Sequence, residues 1–270
     1  MVNMSATTQR IEAGCVNSMP DHQEISVLDV RFLNITMDQA LALLADIISS
    51  GRKEAVSFIN ADCLNISVHD TEYRELLNSQ SIVLPDGAGI STACRLMGQK
   101  MAANLNGTDL LPPLCELARK QDYSMFLLGA ADGVGARMKT NLETMYPGLN
   151  VVGEQHGYFD AETGTDAVIE SINALKPNIV LVAFGAPRQE KWIRQHIDQI
   201  DANLLLGVGG LFDFYSGDKK RAPLWMRKNG LEWVYRLYLE PGRLWRRYIV
   251  GNPLFIYRVV RWVRKRKNSA

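Results

Sequence analysis

The sequence predicts an α/β protein with a Rossmann-like, mostly parallel sheet flanked by helices and a basic helical C-terminal appendage. Short apolar runs rich in β-branched residues alternate with stretches long enough to form helices. The chain has 270 residues, of which 47% are hydrophobic, so it can bury a sizeable core. Its Lys and Arg residues are concentrated after residue 218, which sets the C-terminal segment apart from the rest.

The apolar runs define the order of the predicted elements. Strands are predicted at 56–59, 82–84, 125–128, 179–184 and 204–208. Helices are predicted at 37–49, 71–79, 109–120, 133–145, 166–175 and 188–200. In the first helix, Leu41, Leu44, Ile47 and Ile48 form an apolar face. Because helix-length connections separate the strands, we expect the strands to run parallel.

A formal net charge of +1 conceals a strong asymmetry along the chain. Residues 219–270 contain 15 Lys and Arg against two acids, a charge of +13, whereas the first 218 residues carry −12. Four of the five tryptophans also lie in the basic segment. We therefore predict a disordered leader at 1–22, an α/β body at 23–218, and a basic, aromatic-rich appendage at 219–270 that faces a membrane or another polyanionic surface.

Composition also excludes several classes of protein. The four cysteines form no C-x-x-C pair and the four histidines show no metal-ligand spacing, so we predict no metal site and a reducing cytosol. The chain has no signal-peptide apolar region and no run of 18 apolar residues, which argues against secretion and against a transmembrane helix. Nucleic acid is not an expected partner, because the body is acidic and no nucleic-acid-binding motif occurs.

Candidate site residues follow the predicted strands, since ligands of open parallel sheets bind beyond the carboxyl ends of the strands. In chain order they are Asn60 and Asp62, then Asp86 and Gly87, then Gly129, then Gly185, Pro187, Gln189, Glu190 and Lys191, and then Asp213. Thr108 and Asp109 stand at the start of a predicted helix, where either could cap it.

Two glycine turns have features of a diphosphate-binding loop, because glycine permits close approach and a following helix presents free N–H groups. The turn from Gly129 reads G-x-x-x-G-x-G, which is neither the dinucleotide fingerprint nor a Walker A loop. The turn from Gly185 places Pro187 at a first helical position, followed by four polar residues. Each turn is also compatible with a purely structural role, as a strand-to-helix turn or as a solvated first helical turn.

Asp86 is the strongest candidate for a general base. It follows an apolar strand and precedes Gly87 and Gly89, which leave space around it. Such a carboxylate could accept a proton from an incoming hydroxyl. It could instead cap the next helix or fix the turn, and Asp62 is the alternative base at another strand end.

Taken in order, these motifs resemble those of the WecG/TagA/CpsF glycosyltransferases, glycosyltransferase family 26. The resemblance covers about residues 27–253. It is carried by INAD (59–62), PDGAGI (85–90), NGTDL (106–110), FLLG (126–129), FGAPRQEKW (184–192), GVGGLFDFYSG (207–217) and the segment 221–248.

The resemblance implies an inverting hexosyltransferase of bacterial surface polysaccharide synthesis. Its donor would be a UDP-sugar of glucose or N-acetylmannosamine, and its acceptor a polyprenyl-diphosphate-linked saccharide at the cytoplasmic membrane face. The UDP-sugar is then a substrate, and neither a cofactor nor a metal is expected. The resemblance implies that Asp86 is the general base and that Gln189 lies in the donor pocket. It also places Arg236, Arg243 and Arg246 near the substrate phosphates.

The reaction needs positive groups to neutralise the departing diphosphate. The sequence contains no D-x-D pair that would hold a divalent cation, so arginines and helix N-termini are the available positive groups. Arginine suits this role because its planar fork can hold two phosphate oxygens at once.

The end of the appendage also predicts attachment to an anionic membrane. Its apolar residues at helical spacing are Phe255, Ile256, Val259, Val260, Trp262 and Val263, interleaved with Arg and Lys. A helix packed on the body and a homo-oligomer interface are the alternatives. Two other functions stay open at this point, a nucleotide-dependent oxidoreductase and a non-catalytic adaptor at a membrane surface.

Overall fold

The computed structural model describes residues 23–160 and 164–269, so the predicted leader at 1–22 lies outside the described residues. The strands are β1 (Glu24–Val27), β2 (Val30–Leu33), β3 (Glu54–Ile59), β4 (Ile82–Pro85), β5 (Ser124–Gly129), β6 (Asn150–Gln155), β7 (Ile179–Ala183) and β8 (Leu204–Gly207). The helices of the body are α1 (Met37–Ser49), α2 (Ala61–Ser67), α3 (Thr71–Ser79), α4 (Ala88–Leu96), α5 (Gly107–Gln121), α6 (Val134–Met145), α7 (Thr165–Leu175), α8 (Arg188–His196) and α9 (Leu211–Tyr215). Those that follow are α10 (Leu224–Lys228), α11 (Glu232–Leu239), α12 (Pro241–Trp245) and α13 (Gly251–Ser269), with a π-helical turn (Arg246–Val250) joining the last two.

Six strands form one parallel sheet in the order β4-β3-β8-β7-β5-β6. Strands β1 and β2 form a separate antiparallel hairpin. Helices flank the sheet and the C-terminal segment is helical, which confirms the predicted fold class. All five predicted strands and all six predicted helices are present, with ends shifted by a few residues. Strand β6, the hairpin and helices α2, α4 and α9 were not predicted.

The sheet is buried between two apolar clusters, and a third cluster lies beside it. On one face, α1, α5, α6 and α9 cover the sheet, and the predicted apolar face of α1 is buried here at Leu44, Ile47 and Ile48. Helices α7 and α8 cover the other face. The hairpin, α2, α4 and α13 form the third cluster, so the C-terminal helix completes part of the core.

Helix α13 is docked on the body through both apolar and polar contacts. Phe255 and Val259 are 1% and 0% exposed, and Trp262 donates from Nε1 to the Asp29 carboxylate at 3.0 Å. Arg258 donates from Nη1 to the side-chain oxygen of Asn65 on α2 at 2.8 Å. The expectation that the apolar side of this segment faces lipid is therefore wrong for Phe255 and Val259, which fill the third cluster, and Ile256, Trp262 and Val263 pack against the same cluster. The alternative of a helix packed on the body is observed for this side of α13. None of the helices in the described part of the chain has the length and apolar character that a bilayer span requires.

Candidate active site

The carboxyl ends of β3 and β4 bring Asn60 and Asp86 together. The two strands pair in parallel, and the backbone N–H of Asp86 donates to the carbonyl of Ile59 at 2.8 Å. Asn60 caps α2, its side-chain oxygen accepting from two backbone N–H groups of the first turn. Its amide nitrogen lies 3.5 Å from Oδ2 of Asp86, so the helix cap also orients the carboxylate.

Open space lies beside Gly87, the residue that follows Asp86. Gly87 has φ of +93°, and a Cβ built on it would meet no atom within 4 Å. The backbone N–H of Gly87 donates to the side-chain oxygen of Asn104 at 2.6 Å, which holds the loop. Gly87 is the N-cap of α4 and no side chain caps this helix, so the capping role considered for Asp86 is not observed.

The surroundings of Asp86 favour a proton acceptor. Burial raises the pKa of Asp86 above its ordinary value, while the hydrogen bond from Asn60 and the charges of Arg247 and Arg236 oppose that rise. A carboxylate with a raised pKa is a better base than an ordinary one. Two cations beside it keep the ionised form accessible.

Arg236 and Arg247 come from the appendage and approach Asp86 from two strand ends. Arg236 on α11 lies over the ring of Phe214 at 5.4 Å, and its Nη2 lies 3.6 Å from where a Cβ on Gly210 would stand, just after β8. Arg247 on the π-helical turn contacts Asp62, just after β3, with Nε 3.4 Å from Oδ2. Since β3 and β8 are neighbours, the two guanidinium groups flank one region of the sheet edge.

Arg243 and Arg246, which the resemblance implied, are exposed and have other contacts. Arg243 pairs with Glu240 at 2.6 Å, one turn back on the same segment. The guanidinium of Arg246 lies 5.4 Å from the ring centroid of Trp245. Arg247, which sequence reasoning did not select, is the nearer candidate, because its charge opposes the rise in the pKa of Asp86 more than any other named charge does.

Gln189 clamps two glycine loops together. Its side-chain oxygen accepts from the backbone N–H of Gly185 at 3.0 Å and from that of Gly209 at 2.9 Å, so it links the ends of β7 and β8. Its amide nitrogen donates to Oε1 of Glu190 at 2.8 Å. Gly207 leaves room for this amide, since a Cβ there would lie 3.0 Å from Nε2. Gln189 is 3% exposed, so the alternative that this turn is a solvated first turn of the helix is wrong for Gln189.

Glu190 is fully buried next to this clamp. Burial raises its pKa to about 7, in spite of the hydrogen bond that its carboxylate accepts from Gln189. Its second oxygen, Oε2, has no hydrogen-bond partner in the described structure. The acid therefore fixes the orientation of the Gln189 amide and binds a proton more tightly in the folded protein than in the unfolded chain.

We expect Glu190→Gln to remove a pH-dependent loss of stability. The folded protein holds the extra proton between the ordinary pKa of 4.5 and about 7, so wild-type stability should fall as pH rises through this window, by about 3 kcal/mol at most. Chemical unfolding at several pH values should show the variant gaining stability relative to wild type over that range. Glu75→Gln, at an exposed glutamate, is the control. If the stability of both variants relative to wild type does not change with pH, the raised pKa of Glu190 is contradicted.

The glycine turn after β5 allows a close approach of two chain segments. Gly129 has φ of +126°, and a Cβ on it would lie 2.7 Å from the backbone of Ala183 at the end of β7. The next residue, Ala130, donates its N–H to the carbonyl of Ala183 at 3.1 Å. The close packing against Ala183 and the positive φ are therefore sufficient to require glycine at position 129, without a ligand.

The remaining predicted residues form contacts within the protein. Asp109 forms an ion pair with Arg221, with 2.7 Å between Oδ1 and Nη2. The N-cap of α5 is Asn106, so neither Thr108 nor Asp109 caps this helix as predicted. The carbonyl of Thr108 accepts from the Tyr215 hydroxyl at 2.9 Å.

Lys191 pairs with Asp70 at 3.0 Å and with Glu72 at 2.7 Å, and Asp213 pairs with Lys219. Pro187 precedes α8 as its N-cap, after a cis peptide bond. The pairs of Asp109 and Asp213 join the body to the start of the appendage.

Within 23–160 and 164–269, no group of three or more His, Cys, Asp or Glu side chains is arranged to hold a metal ion. Cys63, Cys94 and Cys115 are buried free thiols.

Comparison with known proteins identifies the family. The sequence profile described as the Glycosyl transferase WecG/TagA/CpsF family matches residues 25–269. The chain belongs to this family. The match extends through α13, so the WecG/TagA/CpsF unit includes the appendage as well as the α/β body. The resemblance predicted from the strand-end motifs is confirmed.

Two relatives from Staphylococcus aureus support the assignment to the WecG/TagA/CpsF family. The N-acetylglucosaminyldiphosphoundecaprenol N-acetyl-beta-D-mannosaminyltransferase of strain MRSA252 is 31% identical over 248 residues, which are 91% of this chain and 96% of that protein. The protein of the same name from strain NCTC 8325 / PS 47 is 30% identical with the same coverage. Both relatives therefore align with nearly the whole chain.

Proposed function

We propose that this protein transfers N-acetylmannosamine from a UDP-sugar to a polyprenyl-diphosphate-linked N-acetylglucosamine, with inversion at the anomeric carbon, in the synthesis of a cell-envelope polysaccharide. The observation that carries the proposal is the position of Asp86 directly after β4, beside Asn60, at the sheet edge that Arg236 and Arg247 approach. The names of the relatives favour N-acetylmannosamine, and the glucose alternative has no support from them.

In the proposed reaction, Asp86 takes the proton of the acceptor hydroxyl. The oxygen of that hydroxyl forms a bond to the anomeric carbon of the donor sugar as the bond from that carbon to the UDP oxygen breaks. The electron pair of the broken bond leaves with UDP, and negative charge grows on its β-phosphate. A cation beside that phosphate lowers the barrier because it stabilises charge that develops in the transition state.

Arginines suit this role here better than the glycine loops do. The N–H groups of Gly185 and Gly209 are already donated to Gln189, so they are not free to bind phosphate. Arg236 and Arg247 supply positive charge at the same edge of the sheet. A reaction that needs no divalent cation remains a prediction, supported by these two charges.

A donor panel tests the proposal. Purified protein is assayed with UDP-N-acetylmannosamine, UDP-N-acetylglucosamine and UDP-glucose against a short-chain lipid-diphosphate N-acetylglucosamine. We expect turnover with the first donor, a β-linked product, and no loss of rate in excess chelator. Turnover with UDP-glucose alone would overturn the donor assignment. Loss in chelator that magnesium or manganese restores would overturn the arginine mechanism.

The two other functions considered from the sequence find no support in the comparisons, since the matched family consists of transferases. A nicotinamide-dependent enzyme would be expected to gain thermal stability from that cofactor. A non-catalytic adaptor would be unaffected by replacement of Asp86.

We also propose that the appendage attaches the protein to the cytoplasmic face of the bacterial inner membrane, where a polyprenyl-linked acceptor is embedded. Large apolar side chains of the appendage lie exposed. They include Trp225, Tyr238, Leu239, Trp245, Ile249, Val250, Leu254 and Tyr257. Arg243, Arg246, Arg261 and Arg264 are exposed in the same segment. An apolar surface with a basic border is typical of attachment to anionic lipid.

We expect the double variant Trp245→Ala/Ile249→Ala to bind vesicles of anionic phospholipid more weakly than wild type. Both side chains are about half exposed, so their removal leaves the folded core intact. Co-sedimentation at two salt concentrations measures the effect, and Leu96→Ala on the body is the matched control for an exposed apolar residue. Equal vesicle binding by all three proteins would contradict this attachment surface.

A further inference from the structure

An ion pair joins the appendage to the body beside the proposed base. Nε of Arg247 lies 3.4 Å from Oδ2 of Asp62, longer than an ordinary hydrogen bond. The side chains of Arg247 and Asp62 are 32% and 37% exposed, so a ligand can reach both. The contact uses one edge of the guanidinium group, whereas an optimal pairing with a carboxylate is bidentate.

The N-terminus of α2 offers little else to an anion at this position. The backbone N–H groups of Asp62 and Cys63 are both donated to the side-chain oxygen of Asn60, at 3.0 and 3.2 Å. Asp62 itself repels a phosphate. A phosphate that arrived at the end of β3 would therefore be attracted by Arg247 at that strand, with Arg236 at the end of the neighbouring β8 as the second cation.

We propose that Asp62 is the resting partner of Arg247 and that the diphosphate of the donor displaces it. This inference rests on the proposed function and assigns a residue pair within that site. A diphosphate has more negative charge than one carboxylate and presents several oxygens to the guanidinium fork, so it is the stronger partner. Before the donor binds, Asp62 holds the guanidinium near Asp86. When the donor binds, Arg247 turns from Asp62 to the β-phosphate.

The neighbouring arginines differ from Arg247 in their contacts. Arg243 is held by Glu240 and Arg246 lies over the ring of Trp245, and both are exposed. Arg247 also lies over an aromatic ring, with its Cζ 5.6 Å from the ring centroid of Tyr248, but Tyr248 is only 8% exposed and packs its ring 5.8 Å from that of Trp233. The π-helical turn thus directs Arg247 toward Asp62, while Arg243 and Arg246 are exposed.

Titration with UDP tests the exchange without requiring turnover. We expect Asp62→Asn to bind UDP about three- to fivefold more tightly than wild type, because a partly exposed ion pair no longer competes. Arg247→Ala should bind UDP about 10- to 100-fold more weakly, since it removes a charge-assisted hydrogen bond, and Arg247→Lys should lie between. UMP, which has no β-phosphate, should show little response to any of the three substitutions. Arg261→Ala, an exposed cation on α13, is the control.

Several results would overturn the exchange. Weaker UDP binding by Asp62→Asn would make Asp62 a support for the donor site, not a competitor. A loss in Arg246→Ala that equals or exceeds the loss in Arg247→Ala would assign the contact to Arg246. If Arg247→Ala does not fold, the opposite shifts expected of Asp62→Asn and Arg247→Lys still test the inference. Failure of the wild-type protein to bind UDP would reject the proposed donor itself. If the wild type binds UDP and the substitutions at Asp62 and Arg247 leave its affinity unchanged, only the exchange is rejected.

Discussion

Asp86→Asn is expected to lower turnover by about 10²- to 10⁴-fold while the affinity for UDP is retained or increased. The amide has nearly the shape of the carboxylate, so the contact with Asn60 and the loop at Gly87 can persist. It cannot take the proton of the acceptor hydroxyl. Single-turnover rates with the lipid-linked acceptor, together with UDP titration, separate loss of the base from loss of binding.

The stability of the same variant gives an independent check. Burial raises the pKa of Asp86, so the ionised carboxylate makes the fold less stable as pH rises through that pKa. Asp86→Asn should therefore gain stability relative to wild type as pH rises from the ordinary pKa of an aspartate to the raised pKa of Asp86. In wild type, the rate should fall as pH is lowered through the same raised pKa. Exposed Asp38→Asn is the control, and normal turnover by Asp86→Asn would leave Asp62 as the base to test.

The strands that sequence reasoning found are those that are buried on both faces. β7 (IVLVA) and β8 (LLLG) are buried along their whole length, and such continuous apolar runs are easily recognised. The edge strand β6 (NVVGEQ) contains one fully buried residue, Val151, and therefore lacks that signal. The hairpin turns through Leu28 and Asp29 at φ of 50° and 63°, without the Asn-Gly or Asp-Gly pair that usually marks such a turn.

The positions of site residues were predictable to the extent that parallel topology determines them. Asn60 and Asp86 meet because they follow paired strands, and no more than the order of the strands is needed to expect this. The direction of each side chain was not predictable. Gln189 and Glu190 read as polar residues of a first helical turn, but their buried hydrogen bonds depend on the space left by Gly207 and on the neighbouring loop at Gly209.

The choice among the appendage arginines also required three-dimensional information. A regular α-helix places residues three and four apart on one face, so Arg243, Arg246 and Arg247 look equivalent in sequence. The structure separates them because a π-helical turn spans Arg246–Val250 and because Leu244 and Tyr248 turn toward the body. Arg247 then points to Asp62, while Arg243 and Arg246 face outward.

Phe255→Ala should lower the free energy of unfolding by about 3–5 kcal/mol, the range observed when a buried phenylalanine is truncated. Phe255 is 1% exposed and packs in the third cluster with the hairpin, α2 and α4. Tyr257→Ala, two residues further on, removes a side chain that is 62% exposed and should change stability by less than about 0.5 kcal/mol. Denaturant unfolding of the two variants measures the difference.

Because the two residues lie on opposite sides of α13, they separate folding from membrane attachment. Removing the whole appendage would expose the third cluster and would lower activity for either reason. Tyr257→Ala should weaken binding to anionic vesicles in a folded protein, whereas Phe255→Ala, at a temperature where it remains folded, should bind vesicles as wild type does. The reverse pattern, in which Phe255→Ala alone releases the protein from vesicles without loss of stability, would mean that α13 leaves the body to enter the membrane.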